Sequence, residues 1–201
     1  AFLMINFLIS WLIIPLSPFF PILLLLRFLC YSFFFTELLY VSLLTYEQKN
    51  GGYSNWRLGV YPTILVPQQK VPAGEIYVFD LSGTICASMV LNHDQAAEYR
   101  NVNWNYAAEE NQVLVIHTLC VPPEQSGHGY GTQMIEFAKR FAKDHGCTVI
   151  RIDTYAHNEP AKALYQKNGF RVVGYGQIVL QGLIPEEQVY LECRIDEETG
   201  T

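Results

Sequence analysis

The order of hydrophobic and polar positions divides the chain into two unequal parts. Residues 1–46 contain 34 hydrophobic residues and only two charged ones, Arg27 and Glu37. From residue 47 onward, short apolar runs alternate with polar turns that contain glycine, which is typical of a globular domain. The pattern predicts an atypical apolar segment at 1–46 and one folded domain at 47–201.

The second part has the periodicities of both strands and helices. Runs rich in β-branched residues predict strands, and the turn from Leu81 to Thr84 joins the first two of them in a hairpin. Apolar residues three and four positions apart predict an amphipathic helix after Gly131, and Asn158 is a good N-cap for a second helix. The order β-β-β-α-β-α-β-β implies an α/β fold with a mixed sheet and helices packed against it. The predicted strands are 75–80, 85–91, 113–121, 148–155, 170–180 and 188–195, and the predicted helices end near 145 and 167.

Three interpretations of residues 1–46 stay open. Residues 1–26 carry no charge and are long enough to span a bilayer, which favours a membrane anchor or hairpin, although three prolines interrupt the run. Phe, Leu, Ile and Ser have T-rich codons, so translation of a stretch outside the native reading frame would also give this composition. A pair of soluble helices is the third interpretation. Membrane association is expected only through this segment.

Composition and charge exclude several classes of protein. With 50% hydrophobic and 14% aromatic residues, the chain can bury enough apolar surface to fold. The net charge of −6 argues against nucleic acid as a partner, because phosphate contacts need clustered Lys and Arg. The five cysteines are scattered and form no pair with metal-site or redox spacing, so we expect no metal and a reducing, cytoplasmic location for the domain.

Two motifs carry candidate chemistry. The first, Gly127-His128-Gly129-Tyr130-Gly131, connects the long strand at 113–121 to a helix. Such a turn presents unpaired amides and the positive end of the helix dipole to an anion. It lacks the Lys-Ser or Lys-Thr of a Walker loop, and its glycine spacing differs from the dinucleotide fingerprint. The second motif follows one strand later and comprises Asn158, Ala161, Leu164, Tyr165, Gly169 and Phe170.

Together the two motifs resemble the GNAT superfamily of N-acetyltransferases, over roughly residues 55–195. In that family the loop has the pattern Arg or Gln, two residues, Gly, one residue, Gly or Ala. Gly129 and Gly131 fill the glycine positions, whereas Ser126 stands at the basic or amide position. The resemblance implies a mixed, mostly antiparallel sheet flanked by helices. It also implies transfer of an acetyl group from acetyl-CoA to a primary amine of a small molecule or peptide, by direct attack and without metal.

The resemblance further implies where the co-substrate binds. The amides of residues 127–132 would hold the pyrophosphate, and the backbone of Leu119 and Val121 would pair with the pantetheine where the sheet splays open. Tyr165 matches the family tyrosine that protonates the departing CoA thiolate. The implied cofactor-binding residues are Leu119, Val121, Ser126, Gly127, His128, Gly129, Tyr130, Gly131, Thr132 and Asn158.

The base that deprotonates the amine is harder to assign. His117 lies on the central predicted strand, and the alternation of strand residues predicts that it shares a face with Val115 and Leu119. It is the candidate base or water-holding residue. Glu109 and Glu110, just before that strand, are the alternatives.

The acceptor site is the least determined part. Trp56, Tyr61, Trp104 and Tyr106 are candidate lining residues, because aromatic faces attract cations. The family builds this site largely from elements that would precede Asn55, where the apolar segment lies, so we expect those elements to be altered or missing. Two alternatives to an enzyme are a catalytically weak CoA-binding module and a membrane protein with an accessory GNAT-like domain. The sequence leaves the oligomeric state open.

Overall fold

A single six-stranded sheet with helices packed against it makes up the described fold. A computed structural model describes residues 36–195 of the chain. The helices are α1 (36–50), α2 (Leu65–Lys70), α3 (Tyr130–Asp144) and α4 (Glu159–Lys167). The strands are β1 (Ile76–Leu81), β2 (Thr84–Asn92), β3 (Val113–Cys120), β4 (Val149–Tyr155), β5 (Arg171–Leu180) and β6 (Ile184–Arg194).

The strand order is β1-β2-β3-β4-β6-β5. Only β3 and β4 run parallel, and each of the other neighbouring pairs is antiparallel. In the β1–β2 hairpin, Ser82 and Gly83 both have positive φ, the turn geometry that matches the twist of paired strands. The prediction of a mixed, mostly antiparallel sheet with flanking helices is confirmed.

Apolar side chains cover the two faces of the sheet differently. On one side, which we call the helical face, Met134 and Ala138 of α3 and Tyr165 of α4 are buried against Leu114 and Ile116 of β3. The opposite side, which we call the aromatic face, is covered by a smaller cluster of Tyr99, Val113, Val115 and Tyr190. The first half of the central strand β3 is thus enclosed on both faces, which explains the apolar run at 113–116.

Helix α1 spans the border that the sequence composition predicts between residues 46 and 47. Its side chains Leu39, Tyr40 and Leu44 are buried, and the Tyr40 hydroxyl donates a hydrogen bond to Thr118 Oγ1 over 3.4 Å. The change from apolar to polar composition therefore falls inside a helix and does not mark the edge of the domain at 47. Leu38, Val41 and Tyr46 on the outer side of the helix are exposed. The folded unit includes α1 through its buried side.

Most predicted elements differ from the structure by no more than one residue at either end. Two departures are larger. Helix α2 follows no predicted pattern, since Leu65-Val66-Pro67 has no helical periodicity of its own. Strand β6 begins four residues before the predicted strand. The sequence pattern did not indicate this part because it contains Glu186, a polar residue that is buried and accepts a hydrogen bond from Asn55 Nδ2 over 2.9 Å.

Residues 1–35 and 196–201 lie outside the described part. The interpretations of the apolar segment as an anchor, as non-native translation or as a helix pair concern residues 1–35 in the main. None of the helices within 36–195 combines the length and apolar character that a bilayer crossing requires.

A buried ion pair joins β4 to β6 on the aromatic face. Arg151 Nε lies 3.4 Å from Glu192 Oε1, and the Arg151 guanidinium lies 4.3 Å above the Trp104 ring. Glu192 Oε2 also accepts the Asn105 amide over 2.9 Å. Burial raises the pKa of the Glu192 carboxyl and lowers that of Arg151. This pair connects the loop before β3 to the centre of the sheet.

Candidate active site

The site begins at a gap between the two parallel strands. β3 and β4 are in register only from Val113 to Val115, opposite Val149 to Arg151. Thr118 then has φ +45°, and the register of β3 against β2 shifts between His117 and Cys120, so β3 carries a bulge there. The two parallel strands are unpaired after Val115 and Arg151, and the bulge lies in this unpaired part of β3.

The glycine-rich turn opens onto one end of this gap. Gly127 and Gly129 both have φ +79°, a conformation that residues with a Cβ adopt at a cost, and Gly129 is the N-cap of α3. A side chain at Gly131 would meet Leu164 Cδ2 at 2.9 Å, so glycine here lets α3 approach α4. The α3 N-terminus thus presents its amides to the gap beside α4.

Helix α4 brings Tyr165 to the same gap. The Asn158 side chain accepts a hydrogen bond from the Ala161 amide over 3.2 Å, which confirms it as the N-cap. Tyr165 is buried and its ring packs against Phe170, with 5.8 Å between ring centroids. Burial, and secondarily the nearby Asp153, raise the pKa of the Tyr165 hydroxyl, so it stays protonated at neutral pH.

These parts enclose one cavity of about 780 Å³. It runs from the glycine-rich turn, through the gap between β3 and β4, to α1 and the loop that follows it. Nine of the ten predicted cofactor-binding residues line it, as does Tyr165. His128 is the exception: its ring stacks on Tyr130 and its Nδ1 donates to the Ser126 carbonyl over 3.0 Å.

Two carboxylates line the cavity, and they differ in what surrounds them. Glu47 of α1 accepts hydrogen bonds from the amides of Tyr53 and Ser54 and from the Ser54 hydroxyl. Its side chain therefore holds the loop that follows α1. Asp153 of β4 accepts a 2.6 Å hydrogen bond from the Tyr99 hydroxyl on the aromatic face. Burial raises the pKa of the Asp153 carboxyl, although the Tyr99 hydrogen bond and His117 act in the opposite direction.

His117 lies outside the lining of the cavity. Its Nε2 is 3.0 Å from Asn92 Oδ1, and burial lowers its pKa. The expectation that His117 shares a face with Leu119 is wrong, because the bulge at Thr118 interrupts the alternation. Leu119 packs on the helical face and lines the cavity, whereas His117 is close enough to Asp153 for their charges to interact.

The predicted acceptor aromatics do not lie together. Trp56 lines the cavity and meets Tyr61 edge to face at 5.8 Å. Trp104 belongs to the aromatic face, where its Nε1 donates to the Tyr99 carbonyl, and Tyr106 lies near Arg194. Glu109 and Glu110, the alternative bases, form an exposed capping turn before β3 and do not line the cavity.

Sequence reasoning missed Asp153, Tyr99 and Glu47. Asp153 had a visible signal, since it is the one acid within the β-branched run Val149 to Thr154. Tyr99 had none, because its contact with Asp153 spans 54 residues. No group of three or more His, Cys, Asp or Glu side chains that could hold a metal ion occurs within residues 36–195.

Comparison with known proteins identifies the family. Residues 42–170, more than half of the chain, match the family model described as "Acetyltransferase (GNAT) family". The chain belongs to this family of acetyltransferases. The match begins inside α1, in agreement with the packing of that helix on the sheet.

Similar proteins include one curated relative and two solved structures. Streptothricin acetyltransferase of Escherichia coli is 36% identical over 74 residues, which are 37% of this chain and 39% of that protein, so the match spans well under half of the relative. A candidate acetyltransferase of Staphylococcus aureus Mu50 has a TM-score of 0.55 at 24% identity, over 76% of this chain and 89% of that one. The yncA protein of Salmonella typhimurium, solved with its cofactor acetyl-CoA, has a TM-score of 0.50 at 14% identity, over 67% and 77%. At these identities the structural likenesses concern the fold.

Proposed function

We propose that this protein transfers an acetyl group from acetyl-CoA to a primary amine of a small molecule or peptide, by direct attack in a ternary complex. The observation that carries the proposal is the single cavity that joins the glycine-rich turn, the gap between β3 and β4, and Tyr165. A donor molecule with an anionic head group and a long flexible arm fits a cavity of this shape. An acceptor molecule can reach the donor from the end of the cavity that α1 and the following loop line.

The residues present fit acetyl-CoA. The positive-φ glycines leave open space where a Cβ would stand, so phosphate oxygens can approach the amides at the α3 N-terminus. Beyond the bulge, the backbone of Leu119 and Val121 lines the gap and can pair with the amides of the pantetheine arm. Bound acetyl-CoA supplies a thioester whose acetyl carbon accepts a nucleophile. Ser126 stands where the family has Arg or Gln, so the amides carry most of the phosphate binding.

The charge of the cavity favours an amine as the acceptor. Among the described residues that line it, two are carboxylates and none is Lys, Arg or His. Amines reach an enzyme at neutral pH as ammonium ions, and a water-poor site with negative side chains attracts them. Trp56 also lines the cavity and adds an aromatic face, which attracts cations.

Tyr165 is proposed as the general acid that protonates the CoA thiolate. The residue lines the cavity, the raised pKa of its hydroxyl keeps the proton in place, and the side chain is fixed by packing. His117 as the base stays a prediction. Its position outside the cavity lining would require a water molecule or another side chain between it and the amine.

The test is CoA release by the full chain against a panel of acceptors. The panel comprises L-lysine, spermidine, kanamycin, a peptide with a free N-terminus, and streptothricin, which the curated relative is named for. We expect free thiol to appear with at least one amine, and mass spectrometry of the product to show an added acetyl group as an amide. Binding of acetyl-CoA without thiol release above the buffer rate for any acceptor would contradict the proposal.

Replacement of Gly129 by Val is expected to weaken acetyl-CoA binding about tenfold. A β-branched residue in the left-handed region costs about 1 to 2 kcal/mol, and relief of that strain would turn the α3 amides away from the phosphates. Isothermal titration calorimetry measures the change in Kd. Gly83→Val is the matched control, since Gly83 has φ +87° and open space around it but lies in the remote β1–β2 hairpin. Equal Kd values for both variants would show that the glycine-rich turn does not contribute to acetyl-CoA binding.

A further inference from the structure

We propose that Asp153 receives the ammonium group of the acceptor and takes its proton before the amine attacks. This inference rests on the function proposed above and names a catalytic residue for it. Asp153 lines the cavity beside Ile152 and Thr154, on the part of β4 that has already separated from β3. Its carboxylate therefore borders the gap through which donor and acceptor must meet.

The Asp153 side chain lies on the aromatic face of the sheet. Ile152 belongs to the core on the helical face, where α3 and α4 lie, whereas Asp153 is hydrogen bonded to Tyr99 on the aromatic face. Tyr165 is close enough for the charge of Asp153 to raise the pKa of its hydroxyl. An amine held by Asp153 would thus stand near the proposed acid.

Glu47, the other carboxylate in the cavity, does not meet the same conditions. Both of its oxygens accept hydrogen bonds from residues 53 and 54, so its lone pairs are engaged in holding the loop after α1. For Asp153, Oδ1 accepts from the Tyr99 hydroxyl, whereas Gln188 Nε2 donates to Glu186 Oε1. A carboxylate has about four lone-pair sites, so Asp153 keeps capacity for an ammonium donor.

The proton balance closes with the groups present. Asp153 accepts one proton from the ammonium, and the freed nitrogen lone pair forms the C–N bond to the acetyl carbon. As the C–S bond breaks, Tyr165 gives its proton to the sulfur, and the second proton leaving nitrogen returns to the Tyr165 oxygen. The proton on Asp153 passes to solvent, so each turnover yields one amide, one thiol and one proton.

The position of Asp153 also predicts the pH dependence of turnover. Because burial raises its pKa, the carboxyl becomes protonated, and useless as a base, at a higher pH than an exposed aspartate would. Activity should therefore fall with decreasing pH along a limb displaced upward from the usual range of aspartate. The titratable and polar groups that face it are Tyr61, Glu98, Tyr99, His117, Tyr165, Glu186, Gln188 and Tyr190.

The experiment compares Asp153→Asn with the wild type, using the panel amine that is turned over best. We expect kcat/KM at pH 7 to fall about 100-fold or more, because general-base catalysis contributes that much. Calorimetry should give an acetyl-CoA Kd within about twofold of wild type, and the remaining rate should rise with pH as the free amine becomes available. Asp144→Asn, an exposed acid at the end of α3, is the control and should behave as wild type.

Tyr99→Phe is a second variant that keeps the aromatic packing. It removes a hydrogen bond that favours the charged form of Asp153, so the acid limb should move to higher pH while the rate at alkaline pH stays within about twofold. Tyr190→Phe removes a hydroxyl from the same cluster and is the matched control. If Asp153→Asn fails to fold, the position of the acid limb in Tyr99→Phe tests the role of Asp153 instead.

The possible failures are distinguishable. An Asp153→Asn enzyme within about threefold of wild type, or one that keeps the wild-type acid limb, overturns the role of Asp153 but not the acetyltransferase activity. If the acid limb of the pH profile disappears in His117→Gln but remains in Asp153→Asn, His117 is the base instead of Asp153. Absence of turnover by the wild type with every amine overturns the proposed function, and the role of Asp153 with it.

Discussion

Replacement of Tyr165 by Phe is expected to lower kcat about 100-fold or more and to leave acetyl-CoA binding unchanged. The variant loses only a hydroxyl, and the ring that packs against Phe170 remains. Without that proton the sulfur must leave as a thiolate, and a positioned acid contributes roughly two to four orders of magnitude. Because the pKa of the Tyr165 hydroxyl is raised by burial, the hydroxyl keeps its proton at neutral pH and is present in the form that can donate it.

The measurement is steady-state thiol release at saturating acceptor, together with calorimetric titration of acetyl-CoA. Tyr175→Phe, in which the hydroxyl removed is on an exposed residue of β5, serves as the control and should keep the wild-type rate. Unchanged kcat in Tyr165→Phe would exclude the general-acid role. A rise in the acetyl-CoA Kd of similar size to the loss of rate would instead make Tyr165 a binding residue.

Replacement of Glu192 by Ala should lower the free energy of unfolding by about 3 kcal/mol or more. Glu192 is 1% exposed, and its removal leaves the buried Arg151 guanidinium with only neutral partners and the Trp104 ring. Breaking one side of a buried ion pair costs about 3 to 5 kcal/mol, because the remaining charge stays in a poorly solvated place. For a domain of ordinary stability this is a large share of the total.

Urea denaturation followed by circular dichroism measures the effect. Glu187→Ala, which removes a partly exposed carboxylate from the same strand, should cost less than about 0.5 kcal/mol. Glu192→Gln keeps the hydrogen bond from the Asn105 amide and should fall between the two. A Glu192→Ala midpoint equal to that of Glu187→Ala would show that Arg151 is satisfied by its neutral partners.

The local parts of the fold and site could be predicted because their signals lie within a few residues. The hairpin turn, the N-cap Asn158 and the positive-φ glycines each follow from backbone constraints that neighbouring residues set. The same holds for Tyr165, whose position one helical turn after Ala161 puts both on the face of α4 that lines the cavity. The chemical role of Tyr165 came from the resemblance of its motif to the family, because helical spacing places a side chain but assigns it no role.

What could not be predicted depends on contacts between distant parts of the chain. The apolar character of residues 36–46 has the same appearance in a sequence whether lipid or a sheet covers it, and only the packing of Tyr40 against Thr118 distinguishes the two. The bulge at Thr118 likewise has no local signal, since threonine is an ordinary strand residue. The extra residue there places Leu119 on the helical face, opposite to His117, which lies outside the cavity lining.

The short pairing of β3 with β4 has a consequence for the stability of the protein in the presence of its ligand. Three residue pairs hold β1, β2 and β3 to the other half of the sheet, and the rest of that border is open. A molecule that fills the gap and pairs with both edges acts as a missing length of strand. Its binding free energy adds to that of folding, about 2.7 kcal/mol at a hundredfold excess over Kd. The concentration of donor in the cell would then regulate how long the folded chain survives, as well as how fast it works.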